Sequence, residues 1–225
     1  MKEEKVLVTA NTPGIHFSLG DYFHPLLDGS EGWKDEVIRN SKMVDRWLAE
    51  QDNTILQLIP YVLCITKDGK ILSYQRKGGG EGRLEGKHSV GIGGHVNTED
   101  LPENKNIPTW HTVLAGAVRE VTEELEIEEE YVRFNLREIG TVYVPSDDGG
   151  DKVGPGPNVG EVHLGIVYML PIDEAVTIRD NEGMIKPKFV STKTTLSKYE
   201  QWSQKILEQL NDILPELLNG KDSTD

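Results

Sequence analysis

The sequence predicts an α/β (α+β) protein with a mixed β-sheet packed between helices, and three observations carry that expectation. Apolar, strand-like runs lie on both sides of a helical stretch: "QLIPYVLCITKDGKILSYQRK" (57–77) before it and "EVHLGIVYMLPI" (161–172) after it. The stretch itself, from about Thr112 to Leu125, repeats its apolar residues with helical period. A second helical pattern closes the chain, with Trp202, Ile206, Leu210, Ile213 and Leu217 on one face. Helices of this kind bury an apolar stripe against one face of a sheet.

Taken in order, "KDEVIRNSKMVDRWLAEQ" near the start reads as helical, with Val37, Met43, Val44 and Trp47 as buried positions. Residues 1–56 form an N-terminal extension packed on the core, and the residues leave open whether it caps that core or makes dimer contacts. Residues 57–225 then form the main domain. Its first hairpin turns at Asp68-Gly69, where a tight turn wants positive φ. A glycine-rich loop, "GGGEGRLEGK", leads to the short strand "HSVGIGGHV", which ends in Gly93-Gly94. "NTEDLPENKNIPTW" (97–110) is polar and punctuated by proline, so it reads as a loop. After the helix, "YVRFNLREIGTVYVP" and "EVHLGIVYMLPI" read as strands, separated by "SDDGGDKVGPGPNVG", which is too rich in Gly and Pro for regular structure.

Composition narrows the function. A formal charge of −14 opposes binding to nucleic acid or anionic lipid. No apolar run approaches the roughly 18–20 residues of a membrane span, and the N-terminus has no basic region followed by a long apolar core. The single cysteine, Cys64, fits a reducing compartment and reads as a small buried strand residue, so the expected location is cytoplasmic.

The helix carries the chemistry. Leu114, Ala117, Val118, Val121 and Leu125 fall on one side, and Glu120, Glu123 and Glu124 fall together on the other. Like charges at these spacings repel by a few tenths of a kcal/mol per pair. Only Arg119 stands beside them, and a hard divalent cation, Mg²⁺ or Mn²⁺ in its place, would neutralise them. The bland alternative is a solvated acidic face, common in a chain this acidic.

The strand ending in Gly-Gly, the loop, and Arg119-Glu120-Val121-Thr122-Glu123-Glu124-Leu125 with Ile127 together resemble the signature of the Nudix (MutT-like) hydrolases, G-x5-E-x7-R-E-U-x-E-E-x-G-U with U aliphatic. Gly94 matches the leading glycine. The resemblance covers about 60 to 170 and implies a Nudix-type α/β/α sandwich with a mixed β-sheet. Two departures stand out. Arg119 follows Gly94 by 25 residues, eleven more than the signature allows, which places an insertion within 98–110. Counting forward from Gly94 puts the first glutamate of the signature at Asp100; counting back from Arg119 puts it at His111. This interrupted box resembles a branch of predicted phosphoesterases. Glu126 also stands where the signature has glycine, so the helix is expected to end in some way other than a left-handed cap.

The resemblance implies hydrolysis of a phosphoanhydride bond in a nucleoside diphosphate linked to another moiety, with Mg²⁺ as cofactor. Glu123 and Glu124 would be metal ligands, Glu120 a third ligand or the general base, and Arg119 the group that orients a glutamate. The Gly94 carbonyl would complete the coordination, with Gly93 as alternative. Glu161, at the start of a strand, is a further candidate ligand or base. Arg76, Lys77 and His95 are candidates for substrate contact. His88 and His163 border the site and are more often structural. Asp147, Asp148 and Asp151 read as loop solubility. The partner is a phosphorylated small molecule, with no nucleic acid or membrane, and a homodimer is a family expectation. "EGRLEGKH" fails as a P-loop, because Glu81 and His88 stand where Gly and Ser/Thr are needed. An isoprenoid-diphosphate isomerase, which would use a reactive cysteine, and a non-catalytic nucleotide-sensing module are the alternatives.

Overall fold

A computed structural model of the chain describes residues 4–12, 22–25, 31–77, 84–103, 107–145, 157–174, 176 and 178–219. Its centre is β4 (Ile55–Ile65), whose residues alternate between two cores. Leu56, Leu58, Val62 and Cys64 join one core; Tyr61, Leu63 and Ile65 join the other. A strand buried on both faces has to be apolar nearly throughout, which is why this run shows no polar alternation.

Around β4 the order is β10 (Met184–Ser191), β5 (Lys70–Arg76), β4, β9 (His163–Pro171), β8 (Arg137–Tyr143) and β2 (Tyr22–Pro25). The β4–β9 pair is parallel and the other pairs are antiparallel, so the sheet is mixed as expected. The short strands β6 (His88–Ser89) and β7 (Gly91–Gly93) pair with β5 and β4. Helix α3 (Trp110–Leu125) covers one face through Val113, Ala117, Val118, Val121 and Leu125. Helix α6 (Gln201–Asn219) covers the opposite face through Ile206, Leu207, Leu210 and Leu214. The result is the expected α/β/α sandwich. The hairpin between β4 and β5 turns at Gly69, with φ +78°, while Asp68 keeps negative φ.

The N-terminal segment is part of the sheet. Strand β1 (Lys5–Ala10) pairs with β4 on one side and with β3 (Lys42–Asp45) on the other. The expected boundary at residue 56 falls inside β4. The single helix expected across 34–51 is broken into α1 (Glu31–Arg39), β3 and the short α2 (Arg46–Ala49). Pairing with β1 outweighs local helical spacing over Lys42–Asp45, and it leaves Trp47 58% exposed, contrary to expectation.

Two other strand readings are corrected at their starts. Residues Glu129–Asn135 form helix α4, and only Arg137–Tyr143 pair in the sheet. Likewise Val159–Val162 form helix α5 ahead of β9, so Glu161 is helical. Strand β10, rich in Lys and Pro, carries no alternating apolar signal that sequence reading could use. The end of α3 is the clearest correction. Glu126 adopts the left-handed conformation, φ 54° and ψ 36°, and its N–H donates to the Thr122 carbonyl. The chain keeps the glycine-type cap and tolerates a β-carbon there, at about 1 kcal/mol.

Replacing Glu126 by glycine is therefore expected to stabilise the protein by about 0.5–1 kcal/mol, raising the thermal midpoint by roughly 2–4 °C. A melting curve followed by circular dichroism checks this. An unchanged midpoint would mean that the glutamate side chain offsets its own backbone strain.

Candidate functional site

The site forms where four parts of the chain meet at one end of β4. A cavity of about 270 Å³ is lined by Gly93, Gly94 and His95 after β7, Glu120 of α3, His163 at the head of β9, and Gly160 of α5. Tyr61, Arg76 and the start of α6, Glu200 to Trp202, form its other wall, and Arg46 and Glu4 reach it from the N-terminal segment.

Glu120 is held tightly. Its carboxylate lies against Gly94, where a Cβ would come within 2.1–2.3 Å of the carboxylate atoms. A side chain there would displace the Glu120 carboxylate, so Gly94 lies directly beside the acidic helix. Arg119 Nη1 donates to Glu120 Oε1 at 2.7 Å. Burial pushes the Glu120 carboxyl above its usual range; Arg119 pulls it back, and the charges of Glu123 and Glu124 add to the rise.

Arg119 is the hub. Its Nε and Nη2 donate to the two oxygens of Asp100 at 2.9 and 3.1 Å, and Nη2 also donates to the His95 carbonyl at 2.9 Å. Asp100 sits in a one-turn 3-10 segment, Thr98–Asp100, with its carboxylate almost fully buried, and accepts the Asn97 N–H at 2.8 Å. His111 is exposed. Of the two ways of counting the box, the one starting from Gly94 thus places a carboxylate on Arg119, and the one starting from Arg119 reaches a solvent-facing histidine. The extra residues fall between Asp100 and α3.

The other acidic residues diverge. The Glu123 side chain is 61% exposed, 3.5 Å from Arg119 Nη1, and lines a separate surface depression with Asp100 and Arg133. Glu124 Oε2 accepts from Asn181 Nδ2, whose Oδ1 takes the N–H groups of Gly183 and Met184. The three carboxylates of α3 stand at neighbouring positions on one face; Glu120 and Glu123 share Arg119, closely and loosely, while Glu124 turns to Asn181. Glu161 does not line the cavity. Its Oε2 accepts the Asn158 N–H at 2.7 Å and caps its own short helix. Asp147, Asp148, Asp151 and the glycine-rich residues 78–83 lie outside the described residues. His88 pairs in β6, away from the cavity, and packs on Tyr199.

Several groups in the site escaped sequence reading. Tyr61 Oη donates to Glu200 Oε1 at 2.6 Å. Glu200 in turn accepts the Trp202 and Ser203 N–H groups at 2.8 and 2.9 Å, which makes it the N-cap of α6. Burial, then the neighbouring Glu200, push the Tyr61 hydroxyl well above its usual range, so it stays protonated and its one hydrogen goes to Glu200. Glu50 and His163 stand beside His95, with the His95 and His163 Nε2 atoms 3.4 Å apart. Burial, the neighbouring His163 and the Arg46 charge hold the His95 imidazole well below its usual range, so it is neutral near pH 7. A Glu-x-x-Ser start to α6 was a legible capping signal; the assembly of Glu50 with two distant histidines left no local trace.

No protein-family model matches the sequence. Protein YmaB of Bacillus subtilis is 31% identical over 170 residues, covering 72% of this chain and 74% of that protein. The crystal structure of Tm1382, a candidate Nudix hydrolase, superimposes with a TM-score of 0.66 at 22% identity. The match covers 93% of this chain and 100% of that one, so it includes sheet strands before residue 57. A bifunctional NMN adenylyltransferase/ADP ribose pyrophosphatase from Francisella tularensis matches more loosely, with a TM-score of 0.48 at 17% identity over 74% of this chain and 44% of that one.

The hub makes a stability prediction. Asp100→Ala leaves Arg119 without its buried partner and is expected to cost about 2 kcal/mol, discounted for the partial exposure of the arginine. His111→Ala should stay within about 0.5 kcal/mol of the parent. Urea titration of both variants decides; equal costs would remove Asp100 from its place in the box.

Proposed function

Because the chain belongs to one family with Protein YmaB and to the Nudix fold superfamily, we propose that it is a Mg²⁺-dependent hydrolase. Its substrate is a nucleoside diphosphate linked to another moiety, and it cleaves the phosphoanhydride bond. The observation that carries this reading is the placement of Glu120: a half-buried carboxylate pressed on Gly94, braced by Arg119 and facing a cavity.

The donor set fits a hard divalent cation. Glu120, Glu123 and Glu124 hang from one turn of α3, where side-chain rotation brings neighbours at i, i+3 and i+4 together, and the Gly94 carbonyl adds a further oxygen. Burial of Glu120 beside two other carboxylates is the arrangement that a cation relieves. When bound, the ion would neutralise the diphosphate and lower the pKa of a water. Mn²⁺ is the expected substitute.

The chain's own groups then have distinct parts. Arg119, anchored to Asp100 and the His95 carbonyl, keeps Glu120 aimed along the cavity wall, and Glu120 takes the proton of the attacking water. Arg76 and the neutral His95 lie on the same cavity and meet phosphate oxygens. Trp202 packs edge-on to Tyr61 at the wall opposite α3, an apolar surface suited to a planar base. Glu161 is not assigned a role in the reaction, because its carboxylate is committed to capping. A cytoplasmic homodimer completes the proposal; a lone buried cysteine supports the reducing compartment. Among the described residues no helix is long and apolar enough to cross a membrane.

The isomerase reading loses its nucleophile. Cys64 is fully buried in the core beneath α3, and burial pushes its thiol up to about 12. A thiol that stays protonated and sealed from the cavity performs no chemistry on substrate.

Phosphate or nucleotide release from a panel of nucleoside diphosphate derivatives, with and without Mg²⁺, is the test. Glu120→Gln should lower turnover by at least about a hundredfold without loss of folding, and Glu123→Gln and Glu124→Gln should raise the Mg²⁺ requirement. No turnover on any substrate with Mg²⁺ or Mn²⁺ present, or wild-type kinetics in Glu120→Gln, would sink the proposal.

A further inference from the structure

Among the described residues, a single group of three or more His, Cys, Asp or Glu side chains brings its ligand atoms within 4.8 Å of one another, and it is not on α3. It consists of Glu50, just after α2, His95, after β7, and His163, at the start of β9. We propose that these three residues bind one divalent transition-metal ion of the zinc class, at the end of the cavity nearest the N-terminal segment. The proposal does not depend on the hydrolase reading: it shares only His95 with the groups given a part there, and uses none of the three carboxylates.

The geometry is that of a partly open coordination site. His95 Nε2 and His163 Nε2 are 3.4 Å apart, and Glu50 Oε1 is 3.9 Å from each. A triangle with these sides has a centre about 2.2 Å from all three corners, the length of a Zn–O bond and within about 0.2 Å of a Zn–N bond. Two imidazoles and one carboxylate are a ligand set used for zinc and non-haem iron, and imidazole is a poor ligand for Mg²⁺.

The tautomer agrees. His163 Nδ1 lies 2.7 Å from the Val159 carbonyl. A carbonyl only accepts, so Nδ1 carries the hydrogen and Nε2 of the neutral ring turns its lone pair towards the other two atoms. Metal-ligating histidines are commonly oriented in this way by a second hydrogen bond. The His95 backbone is fixed as well, through its carbonyl on Arg119.

The ligands come from three segments far apart in sequence, each held by sheet pairing or a short helix next to it. Two of them, His95 and His163, line the cavity, so the remaining coordination positions face the space that substrate would enter. The Arg46 charge, which opposes a cation beside His95, is drawn off by Glu4 at 3.0 Å and Glu50 at 3.7 Å. An ion here would meet an anionic group of a molecule entering that cavity.

The test uses the full chain, stripped with chelator and titrated with Co²⁺, whose visible absorption reports coordination number. One equivalent is expected to give the intense spectrum of a four- or five-coordinate ion with nitrogen ligands, displaced by Zn²⁺ and indifferent to millimolar Mg²⁺. Glu50→Gln should weaken Co²⁺ binding at least tenfold, and His95→Ala and His163→Ala should abolish the spectrum. The double variant Glu123→Gln, Glu124→Gln should retain it, which separates this site from the proposed hydrolytic one. A weak, six-coordinate spectrum in the wild type overturns the proposal and leaves a plain hydrogen bond between the two rings. So does unchanged affinity in Glu50→Gln with native circular dichroism, a variant that stays decisive even if the histidine variants fail to fold.

Discussion

The Arg119 guanidinium is the interaction on which the site depends. It joins three pieces of backbone that no sheet pairing connects: α3, the turn holding Asp100, and the Gly94-His95 corner. A planar group with five donors in fixed directions can do this where a lysine, a single compact point charge, cannot. Asp100 supplies the compensating charge from a buried position, so the arginine remains ionised and its hold on Glu120 persists. Burial opposes that charge, and the bonds to Asp100 with the negative charges of Glu120 and Asp100 more than restore it.

The sheet supplies the rigidity behind this hub. Strand β4 sits between both cores and pairs in parallel with β9, so the corner after β7, the head of β9 and Tyr61 are all registered against one strand. Gly94 converts that register into a site, since a side chain at this position would collide with Glu120. On the opposite wall the N-cap carboxylate Glu200 ties Tyr61 to the first turn of α6. The cavity is therefore walled by both helical layers at once, which brings groups from each face of the sheet around a single space.

The N-terminal segment belongs to the same construction. Through β1 and β3 it extends the sheet, and it carries Arg46 and Glu50 to the cavity. The cavity lining thus combines two kinds of donor, the carboxylate of Glu120 and the imidazoles of His95 and His163.

The sequence by itself determined the mixed sheet between two helical layers, the hairpin at Gly69, the acidic face of α3 and the closeness of Gly94 to it. These follow from local periodicity and from a motif whose two halves are each contiguous in sequence, even though a loop separates Gly94 from α3. Only the tertiary structure decided between Asp100 and His111 on Arg119, turned Glu161 into a cap, separated Glu123 from Glu120, and split the first helix around β3. It alone brought Glu50, His95 and His163 together. The physical reason is the same in each case: burial and pairing with segments distant along the chain set which partner a polar group meets, and neither is encoded in its neighbours.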